Sequence, residues 1–311
     1  DLKKTDYSIT DCALQLFYSY GRVFVFEQME EDETTWILNT KRCGLIYCEP
    51  AMGEMNEFDV NSQYPSIMCS NQGLPYGKPE FHTIETIPDF WKFGIYRATI
   101  TNVDKRLFLT NKMNYYTHVD LKRALELGAT VELILDEKPN AMLYPKRIIA
   151  KTLFEPFVKN LFQYKKQNKL VKSIINRLWG ALCEKDTQIL NDSNDLNLEG
   201  ARQVKIIEGI DGSYKYNVLW GFKRPHARIG PFLTAYGRTM ISKIAEPIID
   251  EVFKIHTDGI LTTSDVISTS NQLGEMKLEK SGSFNIININ NVQYLPFINE
   301  IKSLSEKVIK N

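Results

Sequence analysis

Apolar and polar positions alternate between two periods along this chain, and the switches mark its elements. Residues 7–19 (YSITDCALQLFYS) read as a helix, whereas GRVFVFEQ (21–28) and TTWILNT (34–40) read as strands. A strand over 55–60 ends at Asp59, and a helix starts near Pro65, a residue suited to a first helical turn. IYRATITNV (95–103) alternates like another strand. THVDLKRALELG (117–128) reads as a helix capped by Thr117 and closed by Gly128, and the strand TVELILDE follows. One long helix is expected from about Phe154 to Leu182, then loop or hairpin segments in SNDLNLEG and EGIDGSY. Residues 231–253 are helical with a kink at Pro247, and KIHTDGILTT reads as strand, tight Asp-Gly turn, strand. The sum is a mixed α+β pattern with antiparallel pairing.

Length allows roughly two domains' worth of chain. Apolar content of 43% and charged content of 24% are those of a globular protein. Basic and acidic residues number 38 each, so nothing global attracts nucleic acid or membranes, and any nucleic-acid site must be a local patch. Residues 146–177 supply one: Lys146, Arg147, Lys151, Lys159, Lys165, Lys166, Lys169, Lys172 and Arg177 stand against the single acid Glu155. The five cysteines are odd in number and form no CxxC pair, which suits free thiols in a reducing, intracellular compartment (cytoplasm, nucleus or organelle). No apolar run approaches the length of a membrane span, and no signal peptide opens the chain, so no membrane partner is expected.

Two carboxylates draw the chemistry together. If the strand ending at Asp59 lies beside the hairpin holding Asp258, both meet at one sheet edge. Such a pair can hold two divalent metals ~3.5–4 Å apart for in-line phosphoryl transfer, and Mg²⁺ suits oxygen ligands. Taken alone, Asp258 is accounted for as an Asp-Gly turn. Lys165, Lys169, Lys172, Asn176 and Trp179 are spaced by 4, 3, 4 and 3 residues, one face of a helix. That stripe suits a triphosphate and a base. A solvated lysine face is the alternative, and it is the reading preferred for Lys165 and Lys169.

Three motifs resemble those of family B DNA polymerases, in the family's order. DVNSQYPS (59–66) is similar to DxxSLYPS, KSIINRLWG (172–180) to KxxxNSxYG, and IHTDG (255–259) to YxDTDS. The NSxYP form, the LPYGKP at 74–79 and PFLTAYGRT at 231–239 resemble the protein-primed branch found in phages, adenoviruses and linear plasmids. The resemblance implies an antiparallel palm sheet with packed helices plus helical fingers, with exonuclease and thumb largely absent. The implied limits are 1–30 for an exonuclease remnant, 31–145 and 186–295 for palm, 146–185 for fingers, and 296–311 for the start of a thumb or a tail.

The resemblance also implies roles. Asp59 and Asp258 are the expected catalytic carboxylates and, with the Val60 carbonyl, the ligands of two Mg²⁺ ions, Mn²⁺ being a substitute. Backbone N–H groups from Asn61 through Ser62 to Tyr64 are expected to cradle the triphosphate, with Tyr64 under the deoxyribose; without the family, Tyr64 reads as a core aromatic. Lys172 is expected on phosphate, with Asn176 and Trp179 shaping the nucleotide pocket. Thr234 and Arg238 are expected at the primer-template, along with Lys165 and Lys169; a surface arginine on a helix is the alternative for Arg238. Tyr7 and Asp11 resemble the last exonuclease motif. The implied partners are primer-template DNA, deoxynucleoside triphosphates and a terminal priming protein.

The match departs from the family at several positions. His256 replaces the first aspartate of the third motif and Gly259 its serine. Gln63 stands for leucine, Arg177 for serine and Trp179 for tyrosine. LGEMKLE (273–279) resembles the segment before the family's KxY, where Val292 takes the lysine's place. Two readings follow: a template-directed DNA polymerase, or a degenerate polymerase-like protein that binds nucleic acid or a partner subunit.

Overall fold

A computed structural model describes residues 8–20, 24–40, 43–165, 167–191, 197–209 and 213–296. The helices are Ile9–Tyr20 (α1), Glu31–Asn39 (α2), Gln63–Met68 (α3), His118–Glu126 (α4), Ala150–Phe162 (α5), Lys169–Leu182 (α6) and Gly230–Ala245 (α7). The first strands are Ile46–Cys48 (β1), Ala51–Val60 (β2), Gly73–Pro75 (β3), Glu80–His82 (β4), Gly94–Thr101 (β5), Tyr115–Thr117 (β6), Thr130–Leu133 (β7), Ala141–Leu143 (β8) and Arg147–Ile149 (β9). Lys185–Asn191 (β10), Gln203–Glu208 (β11), Tyr214–Phe222 (β12), Val252–His256 (β13), Gly259–Thr262 (β14), Met276–Asn288 (β15) and Asn291–Pro296 (β16) complete them.

The central sheet has the order β1-β13-β14-β2-β15-β16, antiparallel throughout. Strand periodicity sends Phe58 and Val60 into one core with Ile255, Ile260 and the α7 residues Ile241 and Ala245. Asp59, between them, faces the other way. A second core joins Ala13, Leu14 and Phe17 of α1 to Phe154 and Phe157 of α5 and Ile174 and Leu178 of α6. A smaller sheet, β4-β8-β5-β6 with β7 against β5, packs its apolar face on α4. Strands β10-β12-β11 form a separate three-stranded sheet. Among the described residues, no helix is long and apolar enough to cross a membrane.

The α+β expectation holds, as do the strands ending at Asp59 and beginning near Ile95 and Thr130. So does the α4 cap: Thr117 Oγ1 accepts from the Asp120 N–H, and the Asp120 carboxylate accepts from the Thr117 N–H. Of the two expected loop or hairpin segments, residues 193–196 and 210–212 lie outside the described residues, as do 297–311 of the expected thumb or tail.

Five local expectations are corrected. TTWILNT belongs to helix α2, not to a strand. Acids at Glu31, Asp32 and Glu33 favour a helix N-terminus there, and burial of Trp36 and Ile37 overrides the β-branched residues. No strand occupies 24–28; residues 21–23 of that expectation lie outside the described residues. The long helix over 154–182 is two helices. Asn168 starts the second, its side chain accepting from the Leu170 N–H at 2.8 Å. The α-helix over 231–253 stops at Ala245. A 3₁₀ segment, Glu246–Glu251, follows it, because Pro247 offers no N–H to continue the α ladder, and Val252 already begins β13. The tight turn of the hairpin is centred on Thr257 and Asp258, one residue earlier than an Asp-Gly turn would be. Gly259 is already in β14, paired with His256.

Candidate functional site

Pairing of β14 with β2 sets Gly259 opposite Asp59, and the Val60 N–H donates to the Asp258 carbonyl at 2.8 Å. The strand end and the turn thus meet at one end of the sheet, on its interior strands β2 and β14. They open on a cleft of ≈ 720 Å³ whose walls include Asp59, Asp258, Tyr64, Lys165, Lys172 and Asn176. A Cβ at Gly259 would stand at ordinary contact distance, 3.7 Å from Asp59 Oδ1. The turn itself is strained. Thr257 has φ +63°, a value that favours glycine, at a cost of about 1–3 kcal/mol. Its N–H donates to the Leu45 carbonyl at 2.9 Å, and Gly44 is required beneath it, because a Cβ there would lie 2.6 Å from Thr257 Oγ1.

Burial, then the charges of Asp258 and Glu279, push the Asp59 carboxyl up to about 7, with Lys172 acting in the opposite sense. Burial also raises Asp258. A part-buried, all-oxygen pair in which the charge of Asp258 raises Asp59 fits a hard divalent cation such as Mg²⁺. Among the described residues, no group of three or more His, Cys, Asp and Glu side chains is arranged to hold a metal ion. His256, in the place of the family's first aspartate, is exposed at the end of β13.

The remaining expected residues divide. Tyr64 lies against Trp179, ring centroids 5.0 Å apart, and burial pushes its hydroxyl up to about 12. Lys172, Asn176 and Trp179 line the cleft from α6. Lys165 lies in the turn after α5, off the helical face assigned to it, yet its Nζ donates to Asn61 Oδ1 at 2.8 Å and to Ser62 Oγ. Burial and the Lys172 charge lower its pKa. Lys169 is exposed at the start of α6. The Asn61 N–H is committed to the Glu275 carbonyl at 2.9 Å, and its side-chain amide donates to the carbonyls of Asn271 and Gln272. Asn61 therefore anchors the 271–275 loop, and its backbone N–H is not free for a phosphate.

Thr234 and Arg238 do not reach the surface. Thr234 is fully buried, its hydroxyl bonded to the Gly230 and Pro231 carbonyls. Arg238 is buried on Asp120, Nη2 to Oδ1 at 2.8 Å, and donates to the Cys43 carbonyl at 2.7 Å. Asp11 is exposed in the first turn of α1 and accepts from the Ser8 hydroxyl, while Tyr7 lies outside the described residues.

Sequence reasoning missed Lys277 and Glu279, which line the cleft from β15. Lys277 is in register with Asp59, and the register slips between Leu278 and Lys280, leaving Glu279 on a bulge. The signal lay in LGEMKLE, where Lys277 and Glu279 alternate onto one strand face.

Residues 42–189 match the family of DNA polymerases type B, organellar and viral. That stretch holds Asp59 and Lys172 and stops short of Asp258. Among curated proteins, none matches the sequence. Among solved structures, phi29 DNA polymerase complexed with single-stranded DNA is similar, with a TM-score of 0.68 and 19% identity over 93% of this chain and 54% of that one. The phi29 ternary complex with primer-template DNA and incoming nucleotide substrates gives 0.68 and 18%, covering 92% of this chain and 56% of that one. The binary complex with primer-template DNA gives 0.66 and 18%, over 96% and 62%. The chain thus spans less than two thirds of the length of these structures. Residues 42–189, just under half of the chain, are thus similar to the organellar and viral type B DNA polymerases, and the chain shares the fold of phi29 DNA polymerase.

Proposed function

We propose that this chain is the palm-and-fingers part of a template-directed DNA polymerase of the protein-primed branch. The observation that carries the reading is the meeting of Asp59 and Asp258, nearly 200 residues apart in sequence, at one end of the central sheet beside Lys172 and Tyr64. In this reading 31–145 and 186–295 are palm and 146–185 fingers. Segment 1–30, the expected exonuclease remnant, contributes α1 to the same core as α5 and α6.

Asp59, Asp258 and the Val60 carbonyl would hold the Mg²⁺ ions. Such ions, when bound, favour ionisation of the attacking hydroxyl and offset charge on the leaving group. Lys172 and Lys165 would bind the triphosphate as cations, and Tyr64 and Trp179 would form an aromatic floor under the nucleoside. The reaction joins the primer 3′-oxygen to the α-phosphorus and breaks the bond to the β-phosphate oxygen, releasing pyrophosphate, with the hydroxyl proton passing to solvent. A protein hydroxyl would serve as the first acceptor where priming is by a terminal protein.

Primer extension with Mg²⁺ and the four deoxynucleotides, beside Asp258→Ala, tests this. Extension by the parent alone supports the reading. Intact DNA binding without extension by the parent would favour the second one, a polymerase-like binding subunit, which His256 and Gly259 in the third motif support.

A further inference from the structure

We propose that Gln63 is a positioning residue that sets the direction of the Asp258 carboxylate by holding the strained turn before it; this rests on the polymerase reading of the site. Gln63 is 1% exposed. Its Nε2 donates to the Thr257 carbonyl at 3.1 Å and to the Gly237 carbonyl at 3.2 Å. Two carbonyl acceptors settle which end of the amide is nitrogen. Oε1 is buried without a hydrogen-bond partner and faces Gly237, where an added Cβ would lie 2.9 Å from it. The amide is therefore wedged between α7 and the turn.

Its grip falls on the peptide that matters. Thr257 is a β-branched residue with positive φ at the first central position of a two-residue turn, where glycine is the ordinary occupant. The Thr257–Asp258 peptide is held from both sides, its C=O by Gln63 and its N–H, that of Asp258, by the His256 carbonyl at 2.8 Å, while the Thr257 N–H donates to the Leu45 carbonyl in the peptide before it. The next carbonyl, that of Asp258, is held by the Val60 N–H. A leucine at position 63 would fill the space but donate to neither carbonyl. Relaxation of Thr257 toward negative φ would then rotate Asp258 away from Asp59.

The test uses the full chain with three variants: Gln63→Leu, Thr257→Gly and the double mutant. Thr257→Gly removes the strain that the amide holds in check. For Gln63→Leu we expect kcat in primer extension to fall at least tenfold with nucleotide KM changed less than threefold. Mn²⁺ affinity, followed by electron paramagnetic resonance, is expected to fall about fivefold, and amide exchange in peptides covering 252–262 to accelerate. The double mutant is expected to recover most of the kcat and Mn²⁺ affinity; a merely space-filling role would give no such recovery. Gln63→Leu that matches the parent in kcat, Mn²⁺ binding and exchange overturns the proposal, as does a double mutant no better than Gln63→Leu. A parent that neither extends primers nor binds Mn²⁺ would instead defeat the reading of the site, and exchange in 252–262 would still report whether Gln63 holds the turn.

Discussion

Asp59 keeps its proton to about pH 7, because burial and the neighbouring Asp258 oppose its charge, whereas its ordinary value is 3.8. The folded state thus binds this proton more tightly than the unfolded chain. The stabilising contribution is complete below about 3.8 and is lost as pH rises through about 7. Without divalent metal, Tm should therefore fall across this window, and Asp59→Asn should flatten the fall. Mg²⁺ at pH 8 should raise the Tm of the parent and not of the variant. Equal pH slopes in parent and variant would show that Asp59 titrates like an exposed carboxyl. Both aspartates were legible in the sequence because a strand end and a tight turn are local signals. Gln63 was visible only as a departure from a motif, since its two acceptors, Gly237 and Thr257, lie far along the chain.

Arg238 of α7 and Asp120 of α4 tie two helices together inside the protein, and Asp120 also serves the α4 capping box. Breaking a buried pair leaves a charge uncompensated, so Arg238→Ala should cost about 3–5 kcal/mol in denaturant unfolding. DNA affinity of the remaining folded protein should be unchanged; a fall in affinity at constant stability would restore a DNA-contacting role. Thr117→Ala should cost about 1 kcal/mol by removing the α4 cap. The cap was readable because it is built from neighbours in sequence. Helix α2 was not, because its decisive contact is distant: Glu33 accepts from Arg228 at 2.8 and 2.9 Å and from the Tyr144 hydroxyl at 2.9 Å, all three side chains buried. Propensity alone favoured a strand for TTWILNT, and tertiary packing overruled it.

Across the whole molecule, net charge is zero and the basic residues concentrate in 146–177. Under the proposed polymerase reading, primer-template binding should weaken steeply with salt, and Lys169→Ala and Arg177→Ala, both exposed on α6, should each reduce the log–log slope by about 0.9. An unchanged slope in the double variant would place the phosphate contacts elsewhere. The sequence by itself determined which chemical groups are present, the local elements with strong period and caps, and the three motifs that resemble type B polymerases. Only the tertiary structure decided which groups meet. Non-local strand pairing brought Asp258 to Asp59 and set Lys277 of β15 in register with Asp59, and the turn centre fell on Thr257 and Asp258. Packing took Arg238 and Thr234 out of solvent and drew Lys165 into the cleft. Local signals reside in neighbouring residues and survive in the sequence as pattern, whereas burial and pairing depend on residues far apart in the chain, whose proximity exists only once the chain has folded.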